Sequence, residues 1–432
     1  MRILVLGAYG LIGAHIIRRL DDDGHQLVGL GRRISIARRR FEFVDWVEAD
    51  IARLVDPADW TAMLDGVDGL VNCAGVLQTG LFDNVRRLHV TAMQACFRAC
   101  QISHVRLIVQ ISAIGAATNA PTSFMRTKGQ ADAFLASLDI DWIILRPALV
   151  IAPDAYGGTA LIRSLASLPA IIPKIDGAMR IQTVSVADVA ETVARCVNGA
   201  LPTRRSYDLA HPEIHTLLDI VAIHRQAMGL KPARIVRCPN WLANLVGRLA
   251  DGAGLLGWRS PMRTTALRQL AADVVGDPSG WIADMNIRPE SLSDSLRRYC
   301  LGVEVVWFGR LYALKPLIIV ALSSLFIASG IIAVGPGFAA ARDILMSAGI
   351  NAKNATGLTL LGGVIDIIAG FAVLVRPFAR AALAAMALLC LAYLVLGTLL
   401  VPALWADPLA PFVKIWPVLV LIAIAAAILK DR

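Results

Sequence analysis

Three glycines near the start of the chain have the spacing of a phosphate-binding turn. Gly7, Gly10 and Gly13 follow a short apolar run and precede a helical pattern, so they lie between a strand and a helix. Because glycine lacks a Cβ, such a turn bends tightly and lets the backbone approach a pyrophosphate at a helix N-terminus. The motif therefore predicts a dinucleotide site, with a glycine turn that binds nothing as the alternative. The intervening residues expected beside the cofactor are Tyr9, Leu11 and Ile12.

Two arginines stand where the choice between NAD(H) and NADP(H) is usually made. About twenty residues after the last glycine, a site selective for NAD(H) carries an acidic residue that binds the ribose hydroxyls. This chain has Arg32 and Arg33 there. A guanidinium cannot accept hydrogen bonds from a diol, but it suits a 2′-phosphate. We therefore expect a preference for NADP(H), with NAD(H) as the alternative.

The same arginines begin a basic cluster that continues with Arg38, Arg39 and Arg40. Aromatic residues are not interleaved with them, as a nucleic-acid platform would require, so we expect no nucleic-acid partner. A solvated basic face and contact with anionic lipid are the other interpretations of this cluster.

Strand-like runs alternate with helical patterns over the first part of the chain. The runs are short and continuously apolar, which is typical of strands buried on both faces of a parallel sheet. Their alternation with helices predicts an α/β fold with a doubly wound parallel sheet and right-handed crossovers. The predicted strands are 3–6, 26–30, 42–47, 69–72, 105–111 and 142–145, and the longest predicted helices are 85–100 and 128–138.

The last quarter of the chain has the composition of a membrane domain. The whole chain is 56% hydrophobic and 17% charged, against about 25% charged for an ordinary soluble chain. Only 11 charged residues lie from Pro316 onward. Four apolar spans there approach the roughly 20 residues needed to cross a bilayer, which excludes a purely soluble enzyme. They predict a four-helix transmembrane bundle with spans at 316–334, 357–375, 381–406 and 412–429.

Charges in the connecting segments predict the orientation of these spans. An even number of spans places both ends of the chain on one side, and most flanking Lys and Arg residues lie on that side. By the positive-inside rule this side is the cytoplasm. The chain also opens directly on a strand-like run rather than on a secretory signal. We therefore expect a multi-pass protein of the cell inner membrane whose N-terminal domain and both termini are cytoplasmic.

Asp366 lies near the middle of the second predicted span. Placing Asp at the bilayer centre costs about 2.5–3.5 kcal/mol, so we expect it to face the interior of the bundle. One interpretation is an interhelical hydrogen bond, and the other is a proton or quinone site. The candidate partners for the hydrogen bond are Thr359, Ser323, Ser324 and Thr398.

Further motifs at the ends of predicted strands carry a family resemblance. They are Asp50-Ile51, Asn72-Cys73-Ala74-Gly75, Ser112 and Arg146-Pro147, after the third, fourth, fifth and sixth strands. With the glycine turn, they resemble an atypical or extended short-chain dehydrogenase/reductase over about residues 1–300. The resemblance implies that Asp50, next to Ile51, contacts the adenine of the cofactor. It also implies that Ala74 and Gly75, next to Cys73, pack near the ribose.

The resemblance also assigns the catalytic positions. In this family a Tyr-x-x-x-Lys pair on one helix acts with a serine, and the tyrosine exchanges a proton with the substrate while the nicotinamide moves hydride. Ser112 and Lys128 match, and Lys128 is expected to hold the nicotinamide ribose, but Phe124 replaces the tyrosine. His89 stands where the family often has asparagine. Tyr156 is an alternative phenol, and Ser112 is alternatively a plain strand-end hydroxyl.

The replaced tyrosine makes the domain similar to the nucleotide-binding accessory subunit of respiratory complex I, which binds cofactor without evident turnover. The region from 316 to 432 contains the run Gly363-Val364-Ile365-Asp366 and the pair Arg376-Pro377. With these motifs it resembles the DoxX-like membrane family, and that resemblance implies a quinone partner. Whether the protein is an enzyme therefore stays open. The favoured interpretation is a membrane-tethered NADP(H)-binding redox protein that acts on a quinone or a lipid-like carbonyl. The alternative is a non-catalytic assembly or regulatory subunit of a membrane complex.

Residues 151–182 and 201–300 are expected to form a smaller substrate lobe, and 301–315 a juxtamembrane linker. Within the lobe, a helical apolar stripe is interpreted as core, as a pocket lid or as a membrane-surface helix. His211 and His215 flank Glu213, but Pro212 breaks the helix that a zinc site of the HExxH type requires, so we expect no metal. The stripe consists of Trp241, Leu242, Leu245, Val246, Leu249 and Ala253.

Overall fold

The computed structural model describes residues 1–77, 79–80, 84–174, 179–258, 260, 262–264 and 273–429. The chain divides into two compact units. The first unit is Met1–Asp251 with Pro261–Val306, and the second is Gly252–Ser260 with Trp307–Arg432. The second unit thus includes a short segment that precedes the membrane region by about fifty residues in the sequence.

A seven-stranded sheet forms the centre of the first unit. Its strand order is β3-β2-β1-β4-β5-β6-β10, and every neighbouring pair is parallel. The predicted doubly wound parallel sheet is confirmed, because each apolar run pairs on both sides except at the two edges. The seven strands are β1 (Arg2–Leu6), β2 (Gln26–Gly31), β3 (Val44–Glu48), β4 (Gly69–Asn72), β5 (Leu107–Ile111), β6 (Trp142–Pro147) and β10 (Arg205–Leu209). Four short strands pair outside this sheet, β7 (Leu149–Ile151) with β9 (Thr183–Ser185) and β8 (Ile171–Lys174) with β11 (Arg234–Arg237).

Helices cover both faces of the sheet and bury two hydrophobic cores. One core joins the sheet to α1 and α7, and the other joins it to α4 and to the end of α5. The helices up to this point in the chain are α1 (Gly13–Asp22), α2 (Ser35–Arg40), α3 (Thr61–Leu64), α4 (Ala92–Ile102), α5 (Ser123–Ala136), α6 (Gly158–Ser167) and α7 (Val186–Val197). A π-helical turn at Arg87–Thr91 leads into α4. The predicted helix at 128–138 begins earlier, because the Thr122 hydroxyl caps the N-terminus of α5.

A third core belongs to the smaller lobe of the first unit. It packs α6, α8 (Leu217–Ala227) and α11 (Leu292–Arg298) around buried side chains such as Ile162 and Ile220. α9 (Asn240–Leu255) carries the apolar stripe, and its interpretation as core is wrong. Trp241 is 67% exposed and Leu249 is 65% exposed. α10 (Ser279–Met285) instead packs against the main sheet through Trp281 and Met285.

The second unit is helical among its described residues. Three of its helices are long and apolar enough to cross a membrane, and a fourth apolar helix, α16, has 17 residues. The segment expected as a linker is helical from Val303, and Pro316 lies inside that helix. A helix between the first two spans, α13, was not predicted. The helices are α12 (Val303–Val334), α13 (Phe338–Ser347), α14 (Ala352–Ala372), α15 (Ala379–Leu400) and α16 (Pro411–Ala427).

Candidate cofactor site

The glycine turn closes on itself so tightly that side chains do not fit in it. Gly7 has a φ of +70°, and a Cβ there would lie 3.0 Å from the backbone nitrogen of Ala74. The amide of Gly10 donates to the Gly7 carbonyl at 2.8 Å, and a Cβ on Gly13 would collide with the same carbonyl. Ile12, at the N-cap of α1, makes no side-chain hydrogen bond to the helix. The N-terminal amides of α1 therefore form a suitable site for a pyrophosphate.

Tyr9 brings the turn and the end of β2 together. A Cβ on Gly31 would collide with the Tyr9 ring, and that ring lies 6.1 Å from the ring of Trp46. The amide of Gly7 also donates to the carbonyl of Leu30 at 3.4 Å. Arg32, half-buried, and Arg33, exposed, follow directly. The structure thus places both arginines at the strand end next to the glycine turn, where a cofactor ribose would lie.

Asp50 follows β3 and caps a short 3₁₀ turn. Its carboxylate accepts a hydrogen bond from the amide of Ala52 at 3.2 Å, and its second oxygen lies 3.7 Å from Nε of Arg53. Ile51 is buried beneath it. This arrangement fixes the orientation of Asp50 at the carboxyl edge of the sheet, where doubly wound folds bind their ligands.

Buried amides hold the loop after β4 in place. The Asn72 side chain accepts from the amide of Ala74 at 3.0 Å and donates to the Gln110 side chain at 2.7 Å. Gly75 follows, and a Cβ there would lie 3.6 Å from Nζ of Lys128. Burial raises the pKa of the Cys73 thiol to about 12, so it stays protonated. The loop therefore presents backbone next to Lys128 rather than a reactive thiolate.

Lys128 belongs to a buried charged cluster that includes an aspartate not predicted as a site residue. Its Nζ donates to the carbonyls of Ile111 at 2.8 Å and Ala74 at 3.3 Å. Asp132 lies one helical turn further along α5 and is 3% exposed. Burial lowers the pKa of Lys128, and the negative charge of Asp132 opposes that shift. The four-residue spacing on one helix face is the signal by which Asp132 could have been found.

Ser112 bonds to this cluster through its hydroxyl. Its Oγ donates to the Asp132 carboxylate at 2.6 Å, and Nε of Arg146 lies 3.7 Å from the same oxygen. Burial raises the pKa of Asp132, while the Ser112 hydrogen bond and the neighbouring cations lower it. The Ser112 hydroxyl is thus bound to a carboxylate next to Lys128, and its catalytic and strand-end interpretations both stay predictions.

Phe124, which the resemblance places at the position of the family tyrosine, contacts the ring of His89. The rings of Phe124 and His89 are in edge contact with centroids 5.6 Å apart. Nε2 of His89 accepts a hydrogen bond from the amide of Val76 at 3.1 Å, so the ring proton is on Nδ1, which bonds the Thr127 hydroxyl at 3.0 Å. Burial and the charge of Lys128 lower the pKa of His89 well below its ordinary value. His89 is therefore a neutral positioning residue, and Phe124 has no acidic proton.

The alternative phenol and the histidine pair considered from the sequence lie apart from the cluster of Lys128, Asp132 and Ser112. Tyr156 is 40% exposed, in the loop before α6. Nε2 of His215 lies 3.5 Å from the Glu213 carboxylate. Within the described parts of the chain, no group of three His, Cys, Asp or Glu residues is placed to hold a metal ion.

Asp366 lies inside the second unit and joins three helices. It is 3% exposed on α14, and its Oδ2 accepts from the hydroxyls of Ser329 on α12 at 3.2 Å and Tyr393 on α15 at 3.5 Å. Its Oδ1 has no hydrogen-bond partner among the residues that the structure describes. Three of the expected partners bond to backbone carbonyls instead, namely Ser323, Thr359 and Thr398.

Comparisons with known proteins agree with this geometry. Residues 7–200 match a family of NAD(P)H-binding domains, and residues 323–423 match the DoxX-like family. The chain is 24% identical over 268 residues to the ceramide reductase of Caulobacter vibrioides, which covers 61% of this chain and 80% of that protein. It is 22% identical over 255 residues to subunit 9 of the NADH dehydrogenase [ubiquinone] 1 alpha subcomplex of Arabidopsis thaliana, covering 57% and 62%.

The fold also matches solved enzymes. The Bordetella bronchiseptica enzyme WbmH, solved with NAD⁺, superimposes with a TM-score of 0.52 at 18% identity and covers 68% of this chain and 96% of its own. The first unit therefore has a Rossmann fold and contains the region that matches the NAD(P)H-binding family. It is joined to a DoxX-like domain that contains candidate membrane-spanning helices. Both family resemblances seen in the sequence are confirmed.

Proposed function

We propose that this protein transfers hydride from NADPH to a quinone-like acceptor dissolved in the membrane. The observation that carries the proposal is that the lysine expected to hold the cofactor, Lys128, is present, whereas the tyrosine that would act as the general acid is replaced by Phe124. Lys128 lies within the carbonyl and carboxylate cluster that would position it against a nicotinamide ribose. The resemblance assigns the acid position to Phe124, which has no acidic proton, and the neighbouring His89 is neutral.

The nature of the acceptor determines whether the missing acid matters. Hydride addition to a ketone generates an alkoxide, which needs a proton donor at once, and a general acid contributes about 10²–10⁴ in rate. Hydride addition to a quinone generates a phenolate, the conjugate base of a group with a pKa of about 10. This phenolate can leave the site and take its proton from water. In this reaction NADPH is oxidised to NADP⁺, and the quinone takes up one hydride and one proton to become the quinol.

Binding of the cofactor uses the parts already described. The glycine turn and the N-terminus of α1 would bind the pyrophosphate, Asp50 and Ile51 would border the adenine, and Lys128 would hold the nicotinamide ribose. Arg32 and Arg33 support a preference for the 2′-phosphate of NADP(H). The domain limits expected above, 1–300 for the nucleotide-binding part and 316–432 for the membrane part, are part of this proposal, as is location in the cell inner membrane.

Turnover by the full chain in lipid nanodiscs tests the proposal. We expect NADPH to be oxidised when a short-chain ubiquinone is added and to persist when it is omitted. The control variant is Gly10→Val, whose side chain would meet the Gly7 carbonyl 2.8 Å from its Cβ and block the turn. NADPH that binds stoichiometrically and is never oxidised by any quinone would contradict the proposal.

Restoring the acid gives a sharper test of the acceptor. Phe124→Tyr places a phenol four residues before Lys128, as in the family pair. We expect it to raise reduction of a long-chain ketone by about 10²-fold or more, and to leave quinone reduction unchanged. The measurement is NADPH oxidation by wild type and variant with each acceptor. Strong ketone reduction by wild type would instead indicate a lipid-like carbonyl as the substrate, in line with the similarity to the ceramide reductase of Caulobacter vibrioides.

The second candidate function is non-catalytic. The likeness to a subunit of NADH dehydrogenase and the bonding of Ser112 to Asp132 favour it. In that case the nucleotide stabilises the fold and the membrane domain binds other subunits of a complex. Bound NADPH would then raise the melting temperature without being consumed, and partner subunits would co-purify in mild detergent.

A further inference from the structure

The exposed apolar residues of α9 share one face of the helix. At 100° per residue, Trp241, Leu245, Leu249 and Leu255 fall within a single arc, together with Leu242. The exposed fraction ranges from 37% at Leu242 to 76% at Leu255. Large apolar side chains in a row on a helix are unusual on a soluble surface and mark an interaction site.

The opposite side of α9 consists of small residues. Ala243, Gly247, Ala250 and Gly254 recur at intervals of three and four, and the two glycines are buried. The helix therefore has small residues on one side and exposed large apolar residues on the other. An ordinary amphipathic helix has the reverse arrangement, with the large apolar residues inside.

The chain just after α9 belongs to the second unit and contacts the end of a candidate membrane-spanning helix. The carbonyl of Leu256 accepts a hydrogen bond from the amide of Arg376 at 2.9 Å. Trp258 Nε1 donates to the carbonyl of Leu374 at 2.6 Å, just beyond α14. The guanidinium of Arg376 and the ammonium of Lys315 lie 5.5 and 5.8 Å from the Trp258 ring.

These contacts are typical of a membrane–water interface. Tryptophan and cationic side chains concentrate there, where the ring is half in lipid and the charges meet the headgroups. Arg376 and Lys315 are also on the side that the positive-inside rule assigns to the cytoplasm. Because Leu256 and Trp258 directly follow α9, its C-terminal end would lie close to the same interface.

We propose that α9 lies in the cytoplasmic surface of the bilayer, with the face of Trp241, Leu245, Leu249 and Leu255 inserted into lipid. Lipid is the occupant that the contacts favour, because the helix continues directly into a segment packed on a membrane-spanning helix. Arg248 is exposed and falls within the same arc, between Leu255 and Trp241, so its long side chain would have to extend back to the headgroups while its stem lies along the apolar face. Exposed Lys231 adds positive charge that anionic headgroups attract. The inference does not depend on the hydride-transfer proposal.

Quenching of tryptophan by brominated lipid tests the insertion in the full chain. The chain is placed in nanodiscs of phosphatidylcholine and phosphatidylglycerol, with or without bromine at a shallow acyl position. The signal of Trp241 is the difference between wild type and Trp241→Phe. We expect bromolipid to remove most of this signal, and acrylamide in the water to affect it little.

A matched control comes from another exposed apolar residue of the chain. Ile102, at the end of α4, is 70% exposed, close to the 67% of Trp241. In the Trp241→Phe background, Ile102→Trp should be quenched by acrylamide and not by bromolipid, whereas Leu249→Trp should be quenched by bromolipid. Leu245→Glu should reduce the bromolipid quenching of Trp241, and cofactor binding should stay the same.

Two results would overturn the proposal. Quenching of Trp241 by acrylamide alone would place the face in water. Protection of Trp241 from both quenchers would place it against protein, either a second copy of the chain or another subunit.

Discussion

At the scale of single residues, the proposed preference for NADP(H) rests on Arg32 and Arg33. Each contributes a guanidinium at the end of β2, and loss of one Arg–phosphate pair costs about 1.5–3 kcal/mol. We expect Arg32→Asp or Arg33→Asp to weaken NADPH binding by roughly 10- to 100-fold and to weaken NADH binding much less. Titration of cofactor fluorescence measures both affinities.

Arg39 provides the matched control for this prediction. It belongs to the same basic cluster, and its Nε donates to the carbonyl of Ser35 within α2 at 3.4 Å. Arg39→Asp changes the local net charge equally, so it should leave the NADPH-to-NADH ratio unchanged. Equal affinities of the wild type for the two cofactors would remove the role assigned to Arg32 and Arg33.

Asp366 is a second residue whose role can be measured. Because it bonds to hydroxyls from two neighbouring helices, we expect it to act as an interhelical link. Hydrogen bonds inside membrane proteins average about 0.6 kcal/mol, so Asp366→Leu should lower bundle stability by roughly 1 kcal/mol. Asp366→Asn keeps an acceptor for Ser329 and Tyr393 and should retain most of the stability and all of the activity.

Thermal unfolding in detergent, followed by quinone-dependent NADPH oxidation, checks both Asp366 variants. An Asn variant that is folded and stable but inactive would show that the ionisable proton is needed. Asp366 would then be part of a proton or quinone site rather than a link between helices.

Single residues could be predicted from the sequence where their role follows from local spacing, and not where it depends on a contact with a distant element. Gly7, Gly10, Gly13 and Lys128 could be recognised because their roles follow from local spacing along the chain. Asp132 was missed because its importance comes from a contact with Ser112, 20 residues away in sequence, on another element. The partners of Asp366 were misassigned for the same reason, since helix register determines which hydroxyls face it.

At the scale of elements, α5 places Lys128 and Asp132 on one buried face. Burial lowers the pKa of Lys128, and the Asp132 carboxylate raises it again. Asp132→Asn removes the opposing charge, so the pKa of Lys128 should fall further. If cofactor binding needs the charged ammonium, binding is lost as the pH rises and Lys128 loses its proton. This loss should occur at a lower pH in Asp132→Asn than in the wild type. NADPH titrations from neutral to alkaline pH locate the midpoint.

Ser112→Ala is the control for the α5 prediction, because it removes the hydrogen bond to Asp132 but keeps the carboxylate charge. The pH at which half of the NADPH binding is lost should stay close to that of the wild type. If Asp132→Asn and the wild type lose the cofactor at the same pH, the Asp132 carboxylate does not raise the pKa of Lys128. Circular dichroism at each pH separates loss of binding from loss of structure.

Elements were predicted well where one physical pattern dominates. The six strands found by their continuous apolar runs all lie in the main sheet, because parallel strands are buried on both faces. α9 was harder, since an apolar stripe shows that a helix is one-sided but not whether its apolar side meets protein or lipid. Its small residues, which recur at the same spacing on the other side, were the overlooked signal.

At the scale of the whole molecule, a nucleotide-binding domain and a membrane domain share one chain, which passes between the two units three times. These passages are at Asp251–Gly252 within α9, at Ser260–Pro261, and at Val306–Trp307 within α12. Residues 303–334 form one continuous helix, so no flexible linker separates the two units at this passage.

The number of membrane crossings determines on which side of the membrane the C-terminus lies. α16 is the shortest of the four apolar helices that could cross. Its 17 residues span about 25 Å, slightly short of a hydrocarbon core of about 30 Å. Lys430 and Arg432 follow it in the sequence and favour the cytoplasmic side. We therefore expect α16 to cross, which places the C-terminus in the cytoplasm.

Reporter enzymes that are active on only one side of the membrane, inserted after Asp407 or fused after Arg432, measure this directly. The two positions should report opposite sides, with Arg432 on the side of the N-terminal domain. Reporters on the same side would mean that only three helices cross and that α16 lies in the far leaflet.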